Sequence, residues 1–198
     1  MYRADNNKGD GRTEMKNILI INGHQKYGSA EGKLNRTLAD RMVSLLSEKN
    51  NVQTTTLQSG YSIKEEQQKF LWADVVIYQT PIYWFSVPGL LKTYMDEVYE
   101  YGLFFKGADQ YGRGGLLTGK KYMFSTTWNA PEQAFNDPAE FFKGESLEGA
   151  IAHLHRVQEF LGMEPLKSFA CYDVIKNPKL DKFISELDSH LEEALNFQ

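Results

Sequence analysis

The chain has little of what would tie it to a membrane, a metal ion or a nucleic acid. It carries a single cysteine, Cys171, so no disulfide can form within it. Its apolar runs are all far shorter than the roughly 20 residues that a membrane helix needs. No secretory leader is visible at the start, so a cytoplasmic protein with no stable membrane insertion is expected. In that setting Asn35-Arg36-Thr37 matches the glycosylation sequon by chance. Lys and Arg total 22 against 26 Asp and Glu, a net charge of −4 with no basic stripe, which argues against nucleic acid as a partner. His153 and His155 stand two apart on an expected helix and face different ways. They read as helix surface, Cys171 as a core thiol without a neighbouring ligand, and no metal is expected. Asp96-Glu97 and Glu192-Glu193 read as solvated helix residues. No Ser-His-Asp set, catalytic carboxylate pair, G-x-G-x-x-G fingerprint or P-loop is present.

What is present is a regular alternation. With 198 residues, 41% of them hydrophobic, the chain can fill one core. Residues 1–14 are polar and read as a disordered extension or an artificial tail, leaving residues 15–198 as one domain. Asn17 to Ile21 is a continuous apolar run, as in a buried parallel strand. Further strands are expected at Val52 to Leu57, Val75 to Tyr78, Tyr122 to Thr126 and Lys167 to Val174. Helical spacing separates them, in stripes from Leu34 to Leu46, Ile63 to Leu71, Leu90 to Val98, Ala150 to Leu161 and Leu180 to Phe197. Leu103 to Gly119 is glycine-rich and reads as a long irregular loop. Strand and helix in turn mean an α/β fold, a doubly wound five-stranded parallel sheet with helices on both faces. The flavodoxin-like order 2-1-3-4-5 suits the length.

Such sheets bind ligands at the carboxyl ends of their strands. Three loops fall there: Gly23–Gly32, Gln79–Val87 and Thr126–Pro131. The second crowds Pro81, Tyr83, Trp84 and Phe85 together. Burying one large apolar side chain is worth roughly 1.5–3 kcal/mol, so rings held at a loop suit a flat aromatic ligand. The first loop leads into a helix at about Lys33. Amides at a helix start attract anions, though a plain flexible loop reads equally well, and Glu31 repels a phosphate unless turned aside. His24 either reaches a ligand or is solvated. The third loop offers hydroxyls, an amide and backbone N–H groups to the polar edge of a heteroaromatic ring; an ordinary Asn/Pro turn is the competing reading.

Several segments occur together in one order: NILIING at Asn17, GKLN at Gly32, FLWADVVIYQTPIYW from Phe70, YGRGGL at Tyr111, GKKYMFSTTWNAP from Gly119 and FLGMEPL from Phe160. On these the chain resembles the modulator of drug activity B family, flavodoxin-like flavoproteins that reduce quinones with NAD(P)H. The resemblance spans Lys16 to Val174. It implies FAD lying across the strand ends. Ala30, Glu31, Gly32, Lys33, Leu34, Asn35, Arg36 and Thr37 would hold the pyrophosphate side. Pro81, Ile82, Tyr83, Trp84 and Phe85 would pack on the isoalloxazine ring, and Tyr111, Thr127, Trp128, Asn129 and Ala130 would complete the site. Relatives tend to carry a small polar pair where this chain has Ala30-Glu31, and the glycine-rich loop before Tyr111 is short here. The resemblance also implies a homodimer.

The implied activity is FAD-dependent NAD(P)H:quinone oxidoreduction, a two-electron, ping-pong hydride transfer through flavin N5. No catalytic side chain is expected, since the flavin performs the chemistry. Main-chain N–H groups of Thr127–Ala130 would stabilise developing negative charge. No arginine is placed to select NADPH over NADH. The alternatives are an FMN-dependent azo, nitro or chromate reductase of the same fold, a flavodoxin-type electron carrier, and a flavin-free scaffold. Against the carrier stand a phosphate loop without the Ser/Thr-rich flavodoxin pattern and a mild surface charge.

Overall fold

The computed structural model describes residues 15–28 and 30–195. The extension expected over residues 1–14 lies outside them. In chain order the elements are β1 (Asn17–Asn22), α1 (Lys33–Leu46), β2 (Asn51–Thr56), α2 (Ile63–Trp72), β3 (Val75–Pro81), α3 (Gly89–Val98), β4 (Lys121–Thr127), α4 (Leu147–Ala150), α5 (Ala152–Phe160), β5 (Glu164–Pro165), β6 (Phe169–Cys171) and α6 (Leu180–Leu195). The sheet is parallel with order β2-β1-β3-β4-β5, and β6 also pairs with β4. Residues 103–119 contain no helix or strand. No helix among the described residues is long and apolar enough to cross a membrane.

The apolar runs become central strands because both faces of the sheet are covered. On one face Ile18, Ile20, Val75, Ile77 and Met123 pack with α1 and α6 through Leu38, Met42, Phe183 and Leu187. On the other, Leu19, Ile21, Val76, Tyr78 and Phe124 pack with α3, α5 and Phe104 of the long loop. α2 joins this layer through Phe70. Buried Glu66 fastens α2 to its neighbours, accepting hydrogen bonds from Tyr94 Oη at 2.7 Å, Thr55 Oγ1 at 2.8 Å and Lys69 Nζ at 2.6 Å. All seven residues of β3 are buried, so the expected strand ending at Tyr78 runs on to Pro81.

The fifth strand differs from the expectation of Lys167 to Val174. Its place beside β4 is shared by two short pieces, Glu164 and Pro165 against Lys121 and Tyr122, then Phe169 to Cys171 against Ser125 to Thr127. The break has a local cause. Ser168 turns its N–H and its hydroxyl to the Glu148 carboxylate, at 2.7 and 2.8 Å, and a residue that bonds a side chain this way leaves the ladder. The sheet therefore has six strand segments where five strands were expected.

Register sets the level of the site. Ile20, Ile77 and Met123 stand abreast, and the next row on the same face is Asn22, Gln79 and Ser125. Side chains alternate along a strand, so this face changes from apolar to polar in a single step near the strand ends.

Candidate functional site

Three loops meet at the carboxyl edge of the sheet, joined by hydrogen bonds. Gly23 N–H donates to Gln79 O at 2.9 Å and Ile82 N–H to Thr127 O at 3.0 Å. Tyr83 Oη donates to Gln25 O at 3.2 Å. Gly23 also allows close approach of α3: a Cβ there would lie 2.6 Å from Leu91 Cδ2.

The first loop ends at Gly32, whose φ of 74° is left-handed and favours glycine. A Cβ at Gly32 would also fall 2.3 Å from Nδ1 of His24. His24 is not solvated. It is buried beneath the loop, its Nε2 3.2 Å from Ala30 O and its amide donating to Asn22 Oδ1 at 3.1 Å. It acts as a staple that holds Ala30 and Gly32 at the start of α1. No side chain caps α1 at Gly32, and its first turn holds no acidic residue. The amides of Lys33, Leu34 and Asn35 thus have no protein acceptor among the described residues. Glu31 does not oppose an anion here. It is paired with Lys33 at 2.7 Å, a partner whose hydrogen bond and charge hold the carboxyl below its ordinary pKa. Arg36 and Thr37 lie exposed on the second turn, and Leu34 is half-buried.

The second loop is a tight hairpin. Tyr83 and Ser86 exchange backbone hydrogen bonds of 2.8 and 3.1 Å, and the two residues between them, Trp84 and Phe85, have φ of 49° and 65°. Two successive positive φ values are what a type I′ turn demands, and Asn-Gly is its usual sequence. Tryptophan and phenylalanine there are strained. Phe85 stacks on Phe141 at 5.5 Å and meets Phe142 edge-on at 6.0 Å. Ser86 Oγ lies 3.2 Å from His153 Nε2. Trp84 is left 89% exposed. Pro81 is buried at the end of β3, and Ile82 and Tyr83 are half-buried, the Tyr83 hydroxyl pKa being raised by burial.

In the third loop Trp128, expected among the ligand contacts, has its side chain in the core. Its ring packs edge-on against Phe135 and Phe142, its Nε1 donates to Thr126 Oγ1 at 2.9 Å, and its amide goes to Cys171 O at 2.8 Å. The amides able to face a ligand reduce to those of Asn129 and Ala130, which have no protein acceptor among the described residues. Thr127 is buried at the end of β4. Tyr111 is 92% exposed and its ring meets Phe160 at 5.9 Å; no hydrogen bond or ring contact among the described residues joins it to the three loops.

Other residues carry the site without having been singled out. Asn22, Gln79 and Ser125 are buried polar groups at inward positions, a signal that a polar residue ending an apolar strand does give. Phe141, Phe142 and His153 buttress the aromatic turn, and nothing in their spacing points there. His155 is buried rather than on the helix surface, its Nε2 2.7 Å from Glu148 and its Nδ1 2.8 Å from Tyr122 Oη. Cys171 is a core thiol, its pKa raised by burial to about 12. No cluster of metal-ligating side chains exists among the described residues.

Comparison with known proteins agrees with this fold. A family profile described as a flavodoxin-like fold matches residues 16–195. The chain is 38% identical over 189 residues to NADPH:quinone oxidoreductase MdaB of Haemophilus influenzae, covering 90% of this chain and 98% of that one. A Klebsiella pneumoniae structure provisionally named a quinone reductase superposes with a TM-score of 0.71 at 23% identity, over 92% of this chain and 86% of that one. An FMN-dependent NADH-azoreductase from Bacillus anthracis, in complex with FMN, superposes at 0.67 with 18% identity, over 91% and 100%. At such identities the two structures speak for the fold alone.

The staple has a pH signature. Burial pushes the pKa of His24 below its ordinary 6.5, and the Ala30 hydrogen bond offsets only part of that. Just below 6.5 the unfolded chain therefore holds a proton that the folded protein has lost, so stability rises with pH through this window and falls as pH drops. The ligand-free protein should melt at lower temperature at about pH 5.5 than at about pH 7.5. His24→Asn, which cannot titrate, should show a shallower slope. Equal slopes in the two proteins would remove His24 from the account.

Proposed function

From the premise that this chain belongs to the flavodoxin-like fold family, we propose that it is an FAD-dependent NAD(P)H:quinone oxidoreductase. The observation that carries the reading is the pairing of an uncapped α1 start with a strained turn that holds Trp84 in solvent. Amides without acceptors suit a phosphate, and an exposed ring suits a flat heterocycle. The donor set therefore fits a flavin. Residues 32–35 would hold its phosphates through backbone N–H groups, Trp84 and Phe85 would flank the ring, and Asn129 and Ala130 would offer amides to its polar edge. A bound flavin supplies the hydride and two-electron chemistry that side chains lack. The protein's part is to bind, to orient and to keep water from the ring, with the Phe85, Phe141 and Phe142 cluster as an apolar wall. The lone buried Cys171 suits a reducing cytoplasm.

FMN is the second reading, because the azoreductase neighbour holds it. Mass analysis of flavin released from freshly purified protein decides between them. We expect FAD, and FMN alone would favour the azoreductase reading. Steady-state oxidation of NAD(P)H with a small quinone should then give parallel double-reciprocal lines. One surface, framed by residues 81–85 and 127–130, serves donor and acceptor in turn. Intersecting lines would require two pockets.

Trp84→Ala isolates the ring, since alanine meets the same left-handed strain. Flavin affinity should fall by about 1–3 kcal/mol, the scale of burying one large side chain, while the melting temperature of the ligand-free protein stays put. A large drop in melting with full flavin occupancy would make Trp84 structural.

We also propose a homodimer. Trp84, Tyr111, Tyr27 and Phe141 are between 68% and 92% exposed, more large aromatic surface than a monomer usually leaves in water. Sedimentation at micromolar concentration should give twice the chain mass; an active monomer would refute the pairing.

A further inference from the structure

The two strand pieces beside β4 do not share one register. Lys121 and Tyr122 pair with Glu164 and Pro165, and Ser125 to Thr127 pair with Phe169 to Cys171. Between these pairings β4 has Met123 and Phe124, while the edge has Leu166, Lys167 and Ser168, one residue more. The core requires that extra residue. Leu166 and Phe169 both pack in the layer of α1 and α6, and residues three apart on a regular strand face opposite ways. With the first register continued, Phe169 and Cys171 would turn to the other face of the sheet. An extra residue takes backbone groups out of the ladder. Here the peptide unit joining Lys167 to Ser168 is gripped at both ends by side chains. His190 Nε2 of α6 donates to Lys167 O at 2.9 Å, and Ser168, which is buried, donates its N–H to Glu148 Oε1 at 2.7 Å. Glu148 is itself held. Its Oε2 accepts from Ser168 Oγ at 2.8 Å and from His155 Nε2 at 2.7 Å, and Tyr122 Oη backs the imidazole at 2.8 Å from Nδ1.

The chain after the bulge holds the third loop. Trp128 N–H donates to Cys171 O at 2.8 Å, Asp173 N–H to Ala130 O at 3.1 Å and Val174 N–H to Trp128 O at 3.1 Å. These bonds fix the backbone on both sides of Asn129. β6 itself has only three residues and pairs with β4 alone, so its own ladder is a short anchor. We infer that Glu148 is a positioning residue for the ligand site: it holds the bulge that sets β6, and β6 with the turn after it aims the open amides of Asn129 and Ala130. Glu148 acts at a distance, since its hydrogen bonds among the described residues go to Ser168 and His155. The inference rests on the flavin reading proposed above for the identity of the ligand. The hold on the loop is a property of the empty protein.

Hydrogen exchange in the ligand-free protein reads that hold directly. In Glu148→Ala the amides of Trp128, Asp173 and Val174 should exchange about tenfold faster. The amide of Gly23, bonded to Gln79 O in another loop of the site, should keep its wild-type rate. Glu148→Gln should restore the slow rates, because its carbonyl oxygen still accepts from the Ser168 N–H. Apo-protein titrated with FAD, followed by flavin fluorescence, should bind about tenfold more weakly in Glu148→Ala, and within about twofold of wild type in Glu148→Gln. An acceleration shared equally by Gly23 and the loop amides would make Glu148 a general stabiliser and overturns the inference. So does a Glu148→Gln protein as impaired as Glu148→Ala. Fast loop exchange with unchanged FAD affinity overturns it too, since the loop would then not be positioned for the ligand. If Glu148→Ala does not fold, His190→Ala opens the other end of the same peptide unit and should give the same selective pattern. Wild-type exchange at all three loop amides in that variant overturns the hold. Wild-type protein that takes up no flavin overturns the flavin reading, while the exchange rates still decide whether Glu148 holds the loop.

Discussion

The site depends on β3 holding register with β1 and β4 at once. That register sets Asn22, Gln79 and Ser125 abreast, one row beyond Ile20, Ile77 and Met123. Apolar rows anchor the pairing, because a slip of one residue would exchange the two faces of the sheet. Ile77 would then face α3, and Tyr78 would face α1. The polar row therefore needs no stabilising contribution of its own to be placed correctly. It inherits its position from the core below and can be spent on orientation. Three loops leave the sheet at one height, and the bonds from Gly23 to Gln79 and from Ile82 to Thr127 keep them there.

On this floor stands an unfavourable turn. A left-handed residue other than glycine costs roughly 1–2 kcal/mol, and Trp84 and Phe85 are consecutive. The compensation comes from their neighbours. Tyr83 and Ser86 close the hairpin, Tyr83 reaches Gln25, and Phe85 stacks on Phe141 and meets Phe142 edge-on. None of these contacts involves the Trp84 ring. A fold that strains its backbone and then leaves a tryptophan in solvent gains nothing in stability, and strain of this kind gathers at functional sites.

The parts legible in the sequence were those dictated by periodicity. Continuous apolar runs gave β1 and β3, helical stripes gave α1, α3, α5 and α6, and their alternation gave the strand order. The edge strand was misjudged because its interruption comes from Glu148, twenty residues before Ser168, and no local pattern shows a carboxylate arriving from elsewhere. The burial of the Trp128 side chain was not legible for a related reason. Trp128 follows the last residue of β4, and its burial comes from Phe135 and Phe142, contacts that no local pattern shows. His24 looked like a loop histidine because the missing Cβ at Gly32 that houses it is eight residues away. The resemblance carried the site as segments. The geometry divides each segment into backbone amides, exposed rings and buried supports.

Taken together, the free groups at the site have one character. Among the described residues, the α1 amides and the amides of Asn129 and Ala130 are all donors. Glu31, the carboxylate nearest the α1 amides in sequence, is held by Lys33. Donors beside one exposed ring would suit a ligand that is flat, rich in acceptors and anionic. Such a set of groups also rejects water poorly, since water satisfies the same donors while leaving the ring exposed. The ring thus supplies the part of the affinity that water cannot imitate, and the donors supply the orientation. Such a site also links occupancy to stability. A ligand that binds only the folded state stabilises it by about 2.7 kcal/mol at a hundred times its Kd. A ligand that accepted from the open α1 amides would offset the cost of leaving those donors unpaired.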